Sequence, residues 1–412
     1  MDYLSMEPKN HLHSIAEIRS FFAQEGAGFI FSGGPRQDYI FKHYSEFMPT
    51  ALIASGEKER PLTEKNGPNW LEEMTFNTDI GTMTFSDYAT AEKRLNAAIV
   101  LEEDTVLFER YPNMSHTDRH IIMSVTKPIT GLLTMIARQR GLVEFDAPIA
   151  TYLPSLSASD WCDVPVRDLL DMCAGIEGSE EDEGGTTDLN SANMRYEAAM
   201  GTLGRGPAPS IFDVIPTLKR LRPSGEAYSY VSANSFILAW MLEELWDAPF
   251  TDIIAHEIWR PIGAEADACC AISPHGGPGG DGGVCARLRD IARFGLCFAA
   301  PSSVENNPVL PSFVDEIQNS GRESVHLAGD GGQLPAEDRP LYQNLQWDKV
   351  WSDGDFFKAG WGGQGLYISP ANRLTIAYFG TPNENRERHE FQSVARTISR
   401  HRTRMREANG KK

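Results

Sequence analysis

Strand patterns near both ends of the chain constrain the fold more than any other feature of this sequence. Residues 97–101 and 105–111 are apolar runs on either side of an acidic turn, as in an antiparallel hairpin. Residues 365–369 and 374–380 repeat the pattern near the other end. Helical patterns fill the interval, the clearest of them at residues 233–246. We therefore predict an α/β (α+β) fold: an antiparallel sheet built from both ends of the chain and flanked by helices, with a mostly helical subdomain inserted between.

The same patterns divide the chain into parts. Residues 1–90 contain turn signals and one helical run, and we assign them to an N-terminal extension packed on the core. Residues 91–150 and 286–405 are assigned to the α/β subdomain, and residues 151–285 to the mostly helical subdomain. A basic segment, residues 406–412, is expected to form a frayed tail.

Composition limits the partners that this chain can have. Its 412 residues are 41% hydrophobic, which is enough for a large core. The net charge of −19 disfavours nucleic acid and anionic membrane surfaces, because both repel an acidic protein. No apolar stretch approaches a membrane span, and the first ten residues do not look like a secretory signal. The six cysteines form no C-x-x-C or zinc-type pattern, so we expect reduced thiols in a cytoplasmic protein, without a metal or another cofactor.

A serine and a lysine three residues apart begin an apolar helical run. Their spacing places Ser124 and Lys127 on one face of a helix's first turn. The exposed N–H groups and the positive end of the dipole there favour negative charge on the serine oxygen. A lysine kept neutral by burial can take the serine proton. We predict that Ser124 is a nucleophile and Lys127 its base. The alternative for so short a pattern is a helix-capping serine beside a solvated lysine.

Two further segments carry groups that such chemistry needs. Residues 223–234 form a turn followed by clustered phenols and hydroxyls, among them Tyr228, Tyr230 and Ser232, and then a helix. A loop of this kind can present a proton donor to a cleft. Residues 358–366 hold several glycines at the start of a strand. Glycine permits close approach of the backbone, so a main-chain N–H there can face a reacting carbonyl.

Taken together, these segments resemble the serine β-lactamase and penicillin-binding-protein superfamily, most closely its class C-like esterases and 6-aminohexanoate-dimer hydrolases. The likeness runs from about residue 97 to residue 400. It includes residues 164–176, similar to the family's R-x-L-L-x-x-x-S-G segment, and residues 282–295, similar to its G-G-…-D-x-A-R-F-G segment. The resemblance implies a β-lactamase/transpeptidase-like fold and metal-free hydrolysis of a small ester or amide through an acyl-enzyme.

The resemblance also implies roles for individual residues. Ser124 matches the family's nucleophile and Lys127 its partner base. Tyr230, counted from Gly225, matches the phenol that donates a proton to the leaving alcohol or amine. The backbone N–H groups of Ser124 and Trp361 match the donors that hold the oxyanion.

The segment after the phenol departs from the β-lactamase pattern. Most β-lactamase-like members have asparagine two residues after the phenol, whereas this chain has Ser232, which resembles the Y-x-S form of the aminohexanoate-oligomer hydrolases. Ser232 and Asn234 also offer a rival S-x-N frame, and Tyr228 could exchange roles with Tyr230. The count from Gly225 favours Tyr230.

The third motif of the family, which corresponds to residues 358–366, also differs from the β-lactamase pattern. Where that pattern has Lys-Thr-Gly or His-Thr-Gly, this chain has either Lys358-Ala-Gly or a G-x-x-G-Q-like frame that begins at Gly360. We favour the second frame, with Lys358 on the surface. Substrate contacts are then expected from Ser232 and from the frame's Gly360, Gly362 and Gln364. Loss of the threonine hydroxyl removes a contact to a β-lactam carboxylate, so penicillins should be poor substrates.

Several readings stay open. The acidic residues 180–183 form either a solvated loop or a site that attracts the ammonium end of a substrate. Cys173 and Cys285 are expected to be small core residues rather than nucleophiles. An acyltransferase, a D-amino-peptidase and a catalytically inactive binding homologue are the alternatives to a hydrolase, and a homo-oligomer is left open.

Overall fold

The computed structural model describes residues 13–23, 33–65, 69–72, 74–78, 81–182, 184–204, 206–334 and 338–410. The first ten residues and Glu183, used in the sequence predictions, lie outside this part of the chain. Its strands are β1 (Thr50–Ile53), β2 (Thr63–Glu64), β3 (Thr75–Thr78), β4 (Gly81–Thr84), β5 (Leu95–Glu102), β6 (Thr105–Arg110), β7 (His120–Ile121), β8 (Ala268–Ala271), β9 (Val284–Ala286), β10 (Tyr342–Asn344), β11 (Trp347–Val350), β12 (Phe356–Gly360), β13 (Gln364–Ser369) and β14 (Leu374–Gly380). Its helices are α1 (Ile15–Ala23), α2 (Gly34–Lys42), α3 (Phe85–Ala91), α4 (Lys127–Gln139), α5 (Val166–Leu170), α6 (Ala192–Met200), α7 (Ile211–Val214), α8 (Ser232–Trp246), α9 (Phe250–Ile254), α10 (Leu288–Ala299), α11 (Pro311–Asn319), α12 (Glu323–Ala328) and α13 (Phe391–Gly410).

The main sheet joins strands from both ends of the chain. Its order is β10-β11-β12-β13-β14-β5-β6-β2, and every pair is antiparallel except β2 with β6. Strands from the two ends of the chain meet where β14 pairs with β5, and Ala377 there lies opposite Ile99. The predicted α/β (α+β) class, with an antiparallel sheet flanked by helices, is confirmed.

Helices cover the sheet on two sides. On α10, Gly295 permits close packing, because an added Cβ would lie 2.4 Å from Thr375 on β14. The final helix, α13, extends to Gly410 and includes most of residues 406–412, where a frayed tail is predicted; residues 411–412 lie outside the described part of the chain. Within this helix, Arg406 bonds to Glu102 at 3.1 Å and to the Ala371 carbonyl at 2.8 Å.

A second sheet carries the segment that leads to Ser124. Its order is β1-β8-β9-β7, and Ile121 on β7 lies opposite Cys285 on β9. The chain leaves β7 and enters a 3₁₀ turn, Met123–Thr126, which continues directly into α4. Helices α4 and α8 are buried along most of their length, so the nucleophile candidate stands on a helix anchored in the core.

The N-terminal residues take part in both sheets. β1 lies at the edge of the second sheet beside β8, and β2 pairs with β6 in the main sheet. Within the described ranges, no helix is both long and apolar enough to cross a membrane.

Candidate active site

The 3₁₀ turn before α4 brings Ser124 and Lys127 together. Lys127 Nζ lies 3.0 Å from Ser124 Oγ, as the three-residue spacing predicts. Lys127 is fully buried, whereas Ser124 is partly exposed. Met123, just before the serine, has a φ of 48°, a conformation that non-glycine residues rarely adopt. Such strain beside a candidate nucleophile is common in active sites.

Two oxygen atoms besides that of Ser124 surround the Lys127 amine. Lys127 donates to Ser232 Oγ at 2.9 Å and to the Asp281 carbonyl at 2.8 Å. The Ser232 hydroxyl in turn donates to the Glu180 carboxylate. Ser232, which the sequence predicts as a substrate contact, lines a cavity beside Ser124 and is also bonded to the lysine.

Tyr230 lies between two buried lysines. Its ring centroid is 5.0 Å from Lys127 Nζ and 4.7 Å from Lys358 Nζ, and its hydroxyl accepts a hydrogen bond from Lys358 at 2.8 Å. Burial raises the pKa of Tyr230, the charges of Asp348 and Glu180 raise it further, and a hydrogen bond with Ser124 opposes them. Tyr228 packs against His326 instead. The phenol beside the serine–lysine pair is therefore that of Tyr230.

Lys358 is part of the site, and the expectation of a surface lysine was wrong. It is 1% exposed and lies 2.5 Å from the Asp348 carboxylate. Burial lowers the pKa of Lys358 to about 8, although the charge of Asp348 opposes this change. The sequence prediction failed because the partners come from outside the local motif: Asp348 lies on the neighbouring strand β11 and Tyr230 in the loop before α8.

The turn after β12 approaches the serine segment closely. An added Cβ at Gly360 would lie 2.6 Å from the Ile122 carbonyl, so only glycine allows this contact. Trp361 follows and lines cavities on both sides of Ser124. This position suits the oxyanion donor that the sequence comparison indicates.

Two of the expected substrate contacts in this turn are corrected. Gln364 is 2% exposed, and its side chain bonds to the backbone of Trp361 and Gly380, both at 2.8 Å. It holds the turn and lines neither of the two cavities beside Ser124. Gly362 lies against the ring of Phe41, which an added Cβ would approach to 2.5 Å. Of Gly360, Gly362 and Gln364, only Gly360 lines one of the two cavities beside Ser124.

Two cavities meet at Ser124 and share Glu180 and Trp361 as walls. The inner cavity, of about 60 Å³, is lined by apolar and acidic side chains, including Met48, Met200, Glu197 and Asp281. The outer cavity, of about 450 Å³, is lined by groups of both charges, including Tyr230, Asp348, Lys349, Arg388 and Glu181. Met48 belongs to the N-terminal segment, so this part of the chain contributes to the site.

The inner cavity holds a carboxyl group that is protonated near neutral pH. Burial and, to a smaller extent, the charge of Asp281 raise the pKa of Glu197 to about 8, although a hydrogen bond from Thr202 opposes this change. Burial also raises the pKa of Asp281. Sequence reasoning missed both residues. Asp281 lies in the glycine-rich stretch 273–283, which was recognised only as irregular chain, and Glu197 gave no signal on its helix.

The described residues contain no group of three or more His, Cys, Asp or Glu arranged to hold a metal ion. All six cysteines are unpaired, and Cys173 and Cys285 are buried. Cys285 lies in β9 opposite Ile121 and packs in a buried apolar cluster.

Comparisons with known proteins agree with this architecture. Residues 89–397 match the family model Beta-lactamase. The 6-aminohexanoate-dimer hydrolase of Paenarthrobacter ureafaciens is 24% identical over 351 residues, which cover 83% of this chain and 84% of that protein. A solved structure from Bacillus anthracis, described as a candidate 6-aminohexanoate-dimer hydrolase, has a TM-score of 0.74 at 20% identity and covers 89% of this chain and 92% of its own. A hydrolase with promiscuous acyltransferase activity has a TM-score of 0.53 at 14% identity, covering 72% and 91%.

Proposed function

Because the chain belongs to the Beta-lactamase family, a family of hydrolases, we propose that it is a serine hydrolase that cleaves a carboxylic ester or a linear amide through an acyl-enzyme intermediate. The observation that carries the proposal is the surroundings of the Lys127 amine, which lies 3.0 Å from Ser124 Oγ and has two further hydrogen-bond partners.

The hydrogen bonds of the Lys127 amine indicate that the proton moves from Ser124 to Lys127. The Asp281 carbonyl can only accept, and Ser232 gives its own proton to Glu180, so each takes an N–H from Lys127. A neutral amine has two N–H groups, and both are then used. Its lone pair points at Ser124 Oγ and can accept the serine proton. Ser232 and the Asp281 carbonyl therefore orient the base.

Acylation then proceeds in balanced steps. Ser124 Oγ bonds to the carbonyl carbon as its proton moves to Lys127, and the backbone N–H groups of Ser124 and Trp361 hold the oxyanion. The bond to the leaving group breaks as Tyr230 gives that group its phenolic proton. Lys127, which now holds the serine proton and lies 5.0 Å from the Tyr230 ring, then restores the phenolic proton of Tyr230. Water repeats the sequence to release the acid and free Ser124.

The position of Tyr230 indicates which cavity holds the leaving group and which holds the acyl chain. Tyr230 lines the outer cavity and is absent from the lining of the inner one. Since the proton donor must lie beside the leaving group, the leaving alcohol or amine occupies the outer cavity and the acyl chain the inner cavity. The inner cavity is small and ends at hydrogen-bonding carboxyl groups, which favours a short acyl chain with a terminal donor such as an amine.

The substrate class follows from these contacts and from the relatives. A 6-aminohexanoate-dimer hydrolase, by its name, acts on a linear amide whose acyl part carries an amine. Glu180 and Glu197 offer this chain comparable recognition. Neither frame of the third motif contains the threonine of the β-lactamase pattern, and we keep the prediction that penicillins are poor substrates. Transfer to an alcohol or amine acceptor remains the second candidate, because the outer cavity is large enough to admit one.

Hydrolysis of a substrate panel tests the proposal. Wild-type protein and the Ser124→Ala variant are assayed with p-nitrophenyl esters of increasing acyl length, linear aminohexanoate oligomers and nitrocefin. We expect turnover of short esters or of the oligomers, little with nitrocefin, and a loss of at least 1,000-fold in Ser124→Ala. Wild-type rates in a folded Ser124→Ala variant would rule the mechanism out. A cytoplasmic location and a homo-oligomer stay predictions.

A further inference from the structure

The outer cavity contains a carboxylate whose place in the reaction the family pattern does not give. Asp348, on β11, lies 2.5 Å from Lys358 Nζ, and its other oxygen accepts the Ala359 N–H at 2.9 Å. Lys358 in turn donates to the Tyr230 hydroxyl at 2.8 Å. Asp348, Lys358 and Tyr230 thus form a chain of hydrogen bonds that ends at the proton donor.

The two buried lysines beside Tyr230 have different partners. Lys127 contacts two hydroxyls and a carbonyl, none of which carries a charge. Lys358 contacts a carboxylate. A buried ammonium is stable only with a counter-ion, and two adjacent ammonium groups repel each other. Asp348 therefore keeps the proton on Lys358 and leaves Lys127 free to act as the neutral base.

We propose that Asp348 is a positioning residue that holds Lys358 as an ammonium ion, so that Lys358 stabilises Tyr230 while the phenol gives its proton to the leaving group. This inference rests on the proposed serine-hydrolase function. The charged or titratable groups that face Lys358 are Asp348 on β11, Tyr230 and Glu180 in the loops before α8 and α6, and Lys127 on α4.

The step is an acid–base transfer in which no charge is created overall. Tyr230 loses its phenolic proton to the departing alkoxide or amine nitrogen as the bond to the acyl carbon breaks. The phenolate that forms accepts the hydrogen bond from the Lys358 ammonium. Asp348 and Lys358 keep their protonation states throughout. Loss of the ammonium should therefore weaken the proton donor and leave the nucleophile intact.

The leaving group provides a readout that a structural defect would not reproduce. A p-nitrophenolate departs without a proton, whereas an alkoxide requires one. In Asp348→Asn the amide oxygen can still accept the Ala359 N–H, whereas the negative charge and the acceptor of the Lys358 hydrogen bond are removed. We expect kcat/KM for an alkyl ester, which reports acylation, to fall by roughly 10- to 100-fold. The kcat/KM for the p-nitrophenyl ester of the same acid should fall less than about threefold, because its leaving group needs no proton.

Matched variants separate the proposal from general damage. Asp355→Asn also removes a buried carboxylate that pairs with a cation, Arg396, but its other bonds go to Tyr367 and Ser399 and none is to Lys358, so it should slow both esters equally if at all. Asp348→Glu should restore part of the alkyl-ester activity. Lys358→Met should show the same leaving-group dependence, and the double variant with Asp348→Asn should lose no more than Lys358→Met alone.

The outcomes distinguish this inference from the function on which it rests. If Asp348→Asn lowers the turnover of the two esters equally, or not at all, the role of Asp348 is overturned. Labelling of Ser124 by a fluorophosphonate in the same variant would show that the serine-hydrolase function still holds. Failure of the wild-type protein to react with the fluorophosphonate would instead overturn the serine-hydrolase function itself.

Discussion

Replacing Ser232 by alanine should slow acylation without unfolding the protein. Ser232 accepts a hydrogen bond from Lys127 at 2.9 Å and gives its own proton to Glu180. Without this hydroxyl, one N–H of Lys127 has no acceptor, and the amine can turn its lone pair away from Ser124. Hydrogen bonds to groups that become charged contribute about 1.5–3 kcal/mol. At about 1.4 kcal/mol per factor of ten, kcat should fall by roughly 10- to 150-fold.

The assay compares Ser232→Ala with a matched change on the same helix. Ser235 is fully buried on α8 and donates to Gln346 at 2.5 Å, away from Lys127. Ser232→Ala loses two buried hydrogen bonds and Ser235→Ala loses one, and each costs about 1 kcal/mol in the free energy of unfolding. Steady-state kinetics with a p-nitrophenyl ester and thermal melting measure the two effects separately. If Ser232→Ala and Ser235→Ala are equally active, Ser232 does not orient the base and the hydrogen-counting argument is refuted.

Three further predictions concern the rest of the site. Glu197→Gln should raise the free energy of unfolding by about 4 kcal/mol at pH 8 and change it little at pH 4, measured by denaturant melts. The sign follows because burial raises the pKa of Glu197 from 4.5 to about 8, so the wild-type protein loses stability as the pH rises through this window; an equal effect at both pH values would contradict it. Gly360→Ala should lower kcat by roughly 10-fold or more and destabilise the protein by about 1–3 kcal/mol, because the new Cβ would lie 2.6 Å from the Ile122 carbonyl; a fully active variant would show that β12 need not approach the serine. Alkyl-ester turnover should decrease as the pH rises above about 8, where Lys358 loses its proton, and in Asp348→Asn this decrease should begin at lower pH. If the decrease begins at the same pH in Asp348→Asn, it does not report the titration of Lys358.

The parts of the site that were predictable from sequence are those set by local spacing. A separation of three residues brings Ser124 to Lys127 in any helical turn, and the turn at Gly225 fixes the count to Tyr230. The fold and the family likeness were also predictable, because strand patterns and ordered motifs extend over most of the chain, and both are confirmed. The catalytic roles of these residues stay predictions.

The remaining groups depend on contacts between distant segments. Asp348 meets Lys358 only because β11 pairs with β12. Glu180, Glu197 and Asp281 come from separate loops and a helix, and their meeting at one cavity depends on how α6 and the glycine-rich stretch pack. No pattern within a short window encodes such packing. For the same reason, the motif predicts a substrate contact at Gln364, whereas its buried side chain bonds to the backbone of Trp361 and Gly380.

Covalent labelling with a fluorophosphonate tests the central claim most directly. The probe bonds to a serine only when that serine is activated, and peptide mass spectrometry identifies the modified residue. We predict a single adduct on Ser124, no adduct in Ser124→Ala, and a labelling rate at least about 100-fold lower in a folded Lys127→Met variant. An adduct on another residue, or equal labelling rates with and without the Lys127 amine, would contradict the claim that this amine activates Ser124.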